Sequence, residues 1–458
     1  MARSLLTTNR LRTNQQMTNP QMTNPLMSSR THLRALINAD LLDPATGRRQ
    51  RGAVLIRDGL IAEVVRGALP AAPEGAEVVD CQGALVAPGV VDMRAFLGEP
   101  GAEYRETLKT ASRAAAVGGI TTLVSTPETN PPVDNAATVD FIRRRARDNA
   151  IVHVAPAAAL TRGLEGQELA EYGLLLEAGA VAFTDGARSI ANARVMQRAM
   201  AYARNFDALV MHHAEDADLT GDGVATPGEL ASRMGLTAAP REAETIMLER
   251  DLRLVRMTGG RYHAAMITHA QSVELIRQAK DEGLPVTCGV SINHLALNEH
   301  DISGYRTFFK VKPPLRPEED RLALLEALED GVIDVIVSDH NPQDVEAKRL
   351  PFGEAAAGAI GLETLLPVAL RLANAGSVSL ARVLDALTAR PAGLLGLACG
   401  RLAKDTAADL IVVDTDSAWV YEREAIRSRS KNSPFEGGRM EGQVLRTLVS
   451  GVDVHVAD

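Results

Sequence analysis

The sequence predicts an α/β chain: a (β/α)8 TIM barrel carrying a small β-sandwich that is built from both chain ends. Two observations carry this. The middle of the chain alternates short apolar runs with helical patterns, about eight units over ~300 residues, as a barrel requires. Both ends instead read as short alternating strands with turn signals between them. The partition that follows is a disordered tail over 1–30, a first β-sandwich segment over 31–87, the barrel over 88–396 and a second β-sandwich segment over 397–458.

Taken in order, residues 1–30 hold the near-repeats Met17-Thr-Asn-Pro and Met22-Thr-Asn-Pro, with four arginines and no acid before Asp40. An acid-free, basic start resembles a transit segment, but it lacks an amphipathic period and Met27 is an equally good start, so a disordered tail is expected. From Leu33 strands follow at 35–37, 53–65 and 77–80, with Asp58-Gly59 as a hairpin turn. Helical patterns at 103–117, 136–149, 164–178, 191–204, 241–258, 272–282 and 317–330 alternate with apolar runs. The runs lie at 120–124, 151–155, 180–183, 209–211, 264–267, 286–290 and 332–337. The strand texture returns at 408–414 and 444–454. An open doubly wound sheet is the plainer alternative. It lacks a Gly-x-Gly-x-x-Gly turn here and would not explain the two strand-rich ends.

Composition narrows the function. Of 458 residues, 46% are hydrophobic, and no apolar run approaches the ~20 residues of a membrane span. A formal charge of -9 without a basic block argues against nucleic acid and anionic membranes as partners. Three scattered cysteines, Cys81, Cys288 and Cys399, suit a reducing cytosol and form no zinc-ribbon spacing. Asp216-Ala-Asp-Leu-Thr-Gly-Asp-Gly223 has the texture of a calcium loop. Its twelfth position is Pro227, where such a loop needs a bidentate Glu.

The stretch that organises the chain is Ala87-Pro-Gly-Val-Val-Asp-Met-Arg-Ala-Phe-Leu-Gly-Glu-Pro-Gly101, a buried strand and the loop beyond its C-terminal end. Barrels mount their catalytic groups there. The stretch resembles the dihydroorotase branch of the cyclic amidohydrolases, which carry Pro-Gly-hydrophobic-hydrophobic-Asp-hydrophobic-His-x-His-Leu-Arg-Glu-Pro-Gly. The resemblance runs from about Ala35 to Val454, with Gly118-Gly-Ile-Thr-Thr122, Pro313-Pro-Leu-Arg316, Gly361-Leu-Glu-Thr364 and Asn432-Ser-Pro-Phe-Glu-Gly437 also in order. It implies one or two divalent metals, zinc in a working enzyme, and hydrolysis of a cyclic amide.

The resemblance also locates the ligands, and half of them are gone. The His-x-His positions hold Arg94 and Phe96: a phenyl ring has no lone pair, and a guanidinium is a permanent cation without an acceptor. A third imidazole position holds Met266, a poor ligand for such cations. His269, three residues on, is expected to face elsewhere. Asp185, in Ala182-Phe-Thr-Asp-Gly186, keeps the bridging carboxylate, while a second family aspartate has become Gly186. His213, in Val210-Met-His-His-Ala-Glu-Asp216, and Asp339, in Val337-Ser-Asp-His-Asn-Pro342, complete the remnant metal set. Asp339 takes the place of the family's catalytic base. Substrate-binding positions are altered at Gly98, Glu128 and Lys312, and the family's Pro-His-His-Leu reads Ile292-Asn-His-Leu295.

These losses predict a catalytically silent dihydroorotase-like protein without a cofactor. By resemblance, it would be a cytoplasmic assembly partner of the aspartate transcarbamoylase catalytic chain, and itself a homo-oligomer. An active cyclic amidohydrolase with one metal, zinc, on Asp185, His213 and Asp339 is the alternative. A metal-free sensor holding an anion on Arg94 and Lys312 is a third.

Overall fold

The computed structural model describes residues 32–69 and 71–457; the tail expected over 1–30 lies outside them. The barrel strands are β6 (Val90–Ala95), β7 (Ile120–Ser125), β8 (His153–Pro156), β9 (Val210–His212), β10 (Tyr262–Ala264), β11 (Val286–Ser291) and β12 (Val335–Val337). All pair in parallel in the order β6-β7-β8 and β9-β10-β11-β12. The gap between β8 and β9 is bridged by a single residue, Phe183, which pairs with Ala158 on one side and Val210 on the other. The Ala95–His340 bridge closes the ring. The expected run 180–183 is therefore the eighth stave, reduced to one ladder position. The run expected at 264–267 is paired two residues earlier, and Ala265 to Ile267 continue buried beyond the ladder.

Helices cover the staves from outside, and the one expected from residue 103 begins only at Leu108. Thr107 caps α1 (Leu108–Val117), its hydroxyl accepting the Thr110 N–H. Asn135 does the same for α2 (Ala136–Asn149), receiving Thr138 N–H. The expected helix 164–178 breaks into a 3-10 turn at Arg162–Leu164 and a helix at Tyr172–Ala178. Gly166, near the break, has φ +66°, a left-handed conformation that interrupts a helix. Small residues allow the layers to approach: Ala111, Ala114, Ala115 and Ala116 of α1 are all buried.

Both chain ends build the second domain. Its strands are β1 (Leu33–Asp43), β2 (Arg48–Arg57), β3 (Leu60–Arg66), β4 (Glu77–Asp80), β5 (Leu85–Pro88), β13 (Leu410–Val420), β14 (Arg439–Val449) and β15 (Val452–Val456). They form one eight-stranded sheet, β15-β14-β13-β5-β1-β2-β3, with β4 paired to β1. Leu36, Leu41, Val54, Ile56, Val86, Leu410, Val412 and Leu448 give it a core of its own. The Asp58-Gly59 turn joins β2 to β3. Asp409 ties the two domains together: its carbonyl accepts Gly89 N–H at 2.9 Å and its carboxylate accepts Ser450 N–H at 2.7 Å. No helix among the described residues is long and apolar enough to cross a membrane.

Gly118 closes α1 against the turn before the helix Leu365–Asn374, and a Cβ there would lie 2.0 Å from the Leu362 carbonyl oxygen. Backbone cannot yield as a side-chain tip does, so Gly118→Ala is expected to cost about 2–3 kcal/mol. Urea unfolding should show the midpoint falling with the slope unchanged.

Candidate functional site

Asp92 and Arg94 lie on β6 and Phe96 follows it, with a register shift between Asp92 and Ala95 that breaks the simple alternation of side chains. Asp92 is fully buried and accepts Ser338 N–H at 3.1 Å together with the Ser338 hydroxyl, which stitches β6 to the end of β12. Burial pushes its carboxyl up to about 6 against the pull of those donors. Two residues on, Arg94 Nε donates to Asp339 Oδ1 at 2.9 Å, and Nη1 reaches the Gly186 carbonyl at 3.4 Å. Both side chains of this ion pair are about nine-tenths buried, at 12% and 11% exposure. Burial pushes the Asp339 carboxyl above its ordinary value, while Arg94 draws it back toward the charged form. Asp339 holds a left-handed backbone, φ +50°, a strained state for a residue with a side chain.

The other lost imidazole position is equally full. Phe96 is buried, and the Arg105 guanidinium lies over its ring, 4.2 Å from the centroid. Arg105 is fixed there by the Pro342 carbonyl at 2.8 Å and Asn341 Oδ1 at 2.7 Å. This cation–π contact was not legible in the sequence, since nothing in the spacing of 96, 105 and 341 announces it.

Glu128 and Gly186 explain one another. The Glu128 carboxylate accepts Ala187 N–H at 2.7 Å, and a Cβ on Gly186 would lie 2.0 Å from its Cδ. A side chain at 186 would require this glutamate to move, and the left-handed backbone of Gly186, φ +68°, disfavours one as well. Glu128 also adds negative charge beside Arg94.

The surviving ligand positions do not close around a common point. Asp185 accepts Leu160 N–H at 2.8 Å and Thr161 N–H at 3.0 Å on one oxygen, and the Thr161 hydroxyl on the other. Its carboxylate serves the loop after β8. His213 Nε2 lies 2.5 Å from Glu215 Oε2, whose other oxygen is 3.3 Å from Lys312 Nζ. Although burial opposes it, this pair of partners holds the Glu215 carboxyl down at about 2. His213 Nδ1 is buried without a hydrogen-bond partner among the described residues. Met266 is buried, and His269 turns to Ser272 and Glu244.

Neighbouring histidines belong to the framework. His212 Nε2 accepts Ile190 N–H at 2.9 Å, which puts the ring proton on Nδ1, 2.6 Å from Asp251. Arg250 and the Tyr262 hydroxyl complete that buried network. His263 is pushed down to about 3 by burial and stays neutral. His294 Nε2 meets the Pro313 carbonyl, and His340 Nδ1 accepts Gly361 N–H. Asp216 caps the short helix Ala217–Thr220. Gly98, with φ +73°, is packed 2.1 Å (measured to a built Cβ) from the Glu106 carbonyl, so no arginine fits there.

The expectation that Arg94 and Lys312 would hold an anion meets a correction: both cations are already paired, with Asp339 and Glu215. The remaining space beside Met93, Arg94, Thr126 and His263 is about 10 Å³, room for one water. Zinc, the metal the fold implies, needs about three N, S or O donors around one point. Among the described residues no three His, Cys, Asp or Glu side chains are so placed. The residues do not fit the metal.

Comparison with known proteins places this site in a family. Residues 83–272 match the model described as dihydro-orotase-like. A dihydroorotase of Anaplasma phagocytophilum (strain HZ) is 41% identical over 430 residues, 93% of this chain and 95% of the relative. A dihydroorotase of Anaeromyxobacter dehalogenans (strain 2CP-1 / ATCC BAA-258) is 42% identical over 420 residues, 91% and 96% of the two. The chain belongs to the dihydroorotase family. Among solved structures, L-hydantoinase (dihydropyrimidinase) from Arthrobacter aurescens superposes with a TM-score of 0.84 at 27% identity, over 92% of this chain and 96% of that one. The dihydroorotase-like chain thus keeps the amidohydrolase barrel and β domain while its barrel mouth is plugged by ion pairs.

Removing one member of the Arg94–Asp339 pair leaves a buried charge uncompensated. Arg94→Ala is expected to destabilise by about 3–5 kcal/mol, and the double change Arg94→Met/Asp339→Leu by less than the sum of the single changes. Without the guanidinium, the Asp339 pKa in the folded state rises further. A folded pKa above the unfolded one favours the fold at low pH and penalises it as pH rises. The deficit of Arg94→Ala relative to the parent should therefore shrink as pH falls below neutral, read from urea midpoints across pH.

Proposed function

We propose that this chain is a dihydroorotase-family protein of pyrimidine biosynthesis whose hydrolytic centre is closed, so that it acts as a scaffold and does not itself open the ring. The single observation behind this is the 2.9 Å contact of Arg94 with Asp339. A guanidinium in hydrogen-bond contact with the carboxylate that should ligate metal and activate water repels a divalent ion from that place. The carboxylate is also a poorer base, because one of its two oxygens already holds Arg94 and the cation favours its charged form. Association with the aspartate transcarbamoylase catalytic chain, and with further copies of itself, belongs to the same proposal and rests on family resemblance.

A different observation favours a second reading. Relatives named dihydroorotase match at about 40% identity over nine-tenths of the chain, and those names back a working cyclic amidohydrolase better than a silent one. That reading places one zinc on Asp185, His213 and Asp339. It asks Arg94 to leave Asp339 and Asp185 to give up three hydrogen bonds.

Metal content and dihydroorotase turnover, both measured after zinc supplementation, separate the two. The closed-site reading expects substoichiometric zinc, no turnover above background, and no change on Asp339→Ala. Stoichiometric zinc with turnover that Asp339→Ala abolishes would overturn it and establish the second reading.

A further inference from the structure

We propose that the seam between barrel and β domain holds a separate binding site for a small amphipathic anion, an apolar or aromatic body bearing a phosphate group. The inference does not depend on whether the barrel mouth is active. A cavity of about 520 Å³ lies in this seam, within the size range of small-molecule sites at roughly 300–1,000 Å³. Its walls come from α1, from Ile151 just before β8, from residues 426–427, and from the edge strand β15. Val117 and Ile151 precede β7 and β8, which puts the cavity toward the N-terminal ends of the barrel strands. Asp339 follows β12 at the opposite end.

The lining combines two chemistries. Arg113 and Arg427 are exposed, and neither guanidinium makes an ion pair or hydrogen bond among the described residues. No carboxylate lines the cavity. The acids behind its wall are committed elsewhere: Glu106 to Thr110, Ser428 and the Arg429 N–H, and Glu363 to the N–H groups of Arg427 and Ser428. In a chain of net charge -9, two guanidiniums without an ion pair beside one cavity, Arg427 acting only at longer range on Glu363, are not the by-product of a basic surface.

The same lining holds Val117, Ile151, Val454 and Val456, of which Ile151 and Val456 are 38% and 46% exposed. A single exposed aliphatic residue needs no explanation, but several beside unpaired guanidiniums specify both ends of a ligand. Guanidinium is the side chain that suits phosphate best, through paired N–H donors in one plane. Because Arg113 belongs to the barrel and Arg427 to the segment returning toward the β domain, one bound phosphate would be gripped from both.

Phenyl phosphate is the probe, titrated into the full chain by calorimetry beside benzyl alcohol and inorganic phosphate. One saturable phenyl phosphate site is expected, tighter than for either half-ligand. The double variant Arg113→Ala/Arg427→Ala should weaken it by about tenfold or more. Both side chains are exposed and make no ion pair or hydrogen bond among the described residues, so the thermal midpoint of the unliganded variant should match the parent. Bound probe should raise that midpoint in the parent and not in the variant. Absence of saturable binding, equal affinity in the double variant, or benzyl alcohol binding as tightly as phenyl phosphate would each overturn the proposal.

Discussion

The barrel mouth depends on one ion pair. Two groups about nine-tenths buried, Arg94 and Asp339, are joined at 2.9 Å, and each would be costly to bury alone. The desolvation penalty is offset only when the geometry is good and the remaining donors find acceptors, which the Gly186 carbonyl supplies for Arg94. Around this pair the other departures from the family pattern fit together. Glu128 adds a second carboxylate within the field of Arg94 and fills the volume that a side chain on residue 186 would need. Phe96 gives Arg105 an aromatic face, and the Asn341 and Pro342 oxygens fix that guanidinium just beyond Asp339 in sequence.

Much of the fold was legible because it rests on local signals. Period-two runs, helical spacing and the Asp58-Gly59 turn all act within a few residues. Where expectation and structure differ, long-range pairing decided. Phe183 forms a stave because Ala158 and Val210 flank it, and the β10 ladder sits two residues early because Tyr262 pairs with both Val210 and Val286. The expectation at positions 94 and 96 rested on a different kind of signal, since Phe and Arg lack the lone pair a metal needs. What the new side chains do was not legible. Arg94 meets Asp339 across 245 positions, and Ser338 meets Asp92 across 246. The fate of Asp185 was hidden too: its motif survives, but the donors that consume it come from the loop after β8.

Family membership and closure of the site are compatible because they live on different residues. The framework contacts join distant regions of the chain without touching the metal positions. Asn432 accepts Gln343 N–H and donates to the Gly358 carbonyl, and Arg316 reaches the Thr268 hydroxyl. Asp92, buried beside the lost ligands, is engaged by Ser338, so the β6–β12 closure needs no metal to hold it. Identity of about 40% over nine-tenths of the chain reports the family, and chemistry has to be argued from the few side chains at the strand ends.

Those side chains form a packed alternative and not a site with pieces missing. A site that had merely lost ligands would leave Asp339 buried and unpaired, at a cost of several kcal/mol. Here a permanent cation takes the position next to it, and a guanidinium, unlike a metal, brings its own fixed stem and leaves no open coordination position for water. Restoring a single imidazole at 94 would remove the counter-charge of Asp339 without supplying the other two ligands. Glu128 would still have to yield before residue 186 could carry a carboxylate. Arg94, Asp339 and Glu128 are thus coupled, so that a change at one alters the charge or the space at the others.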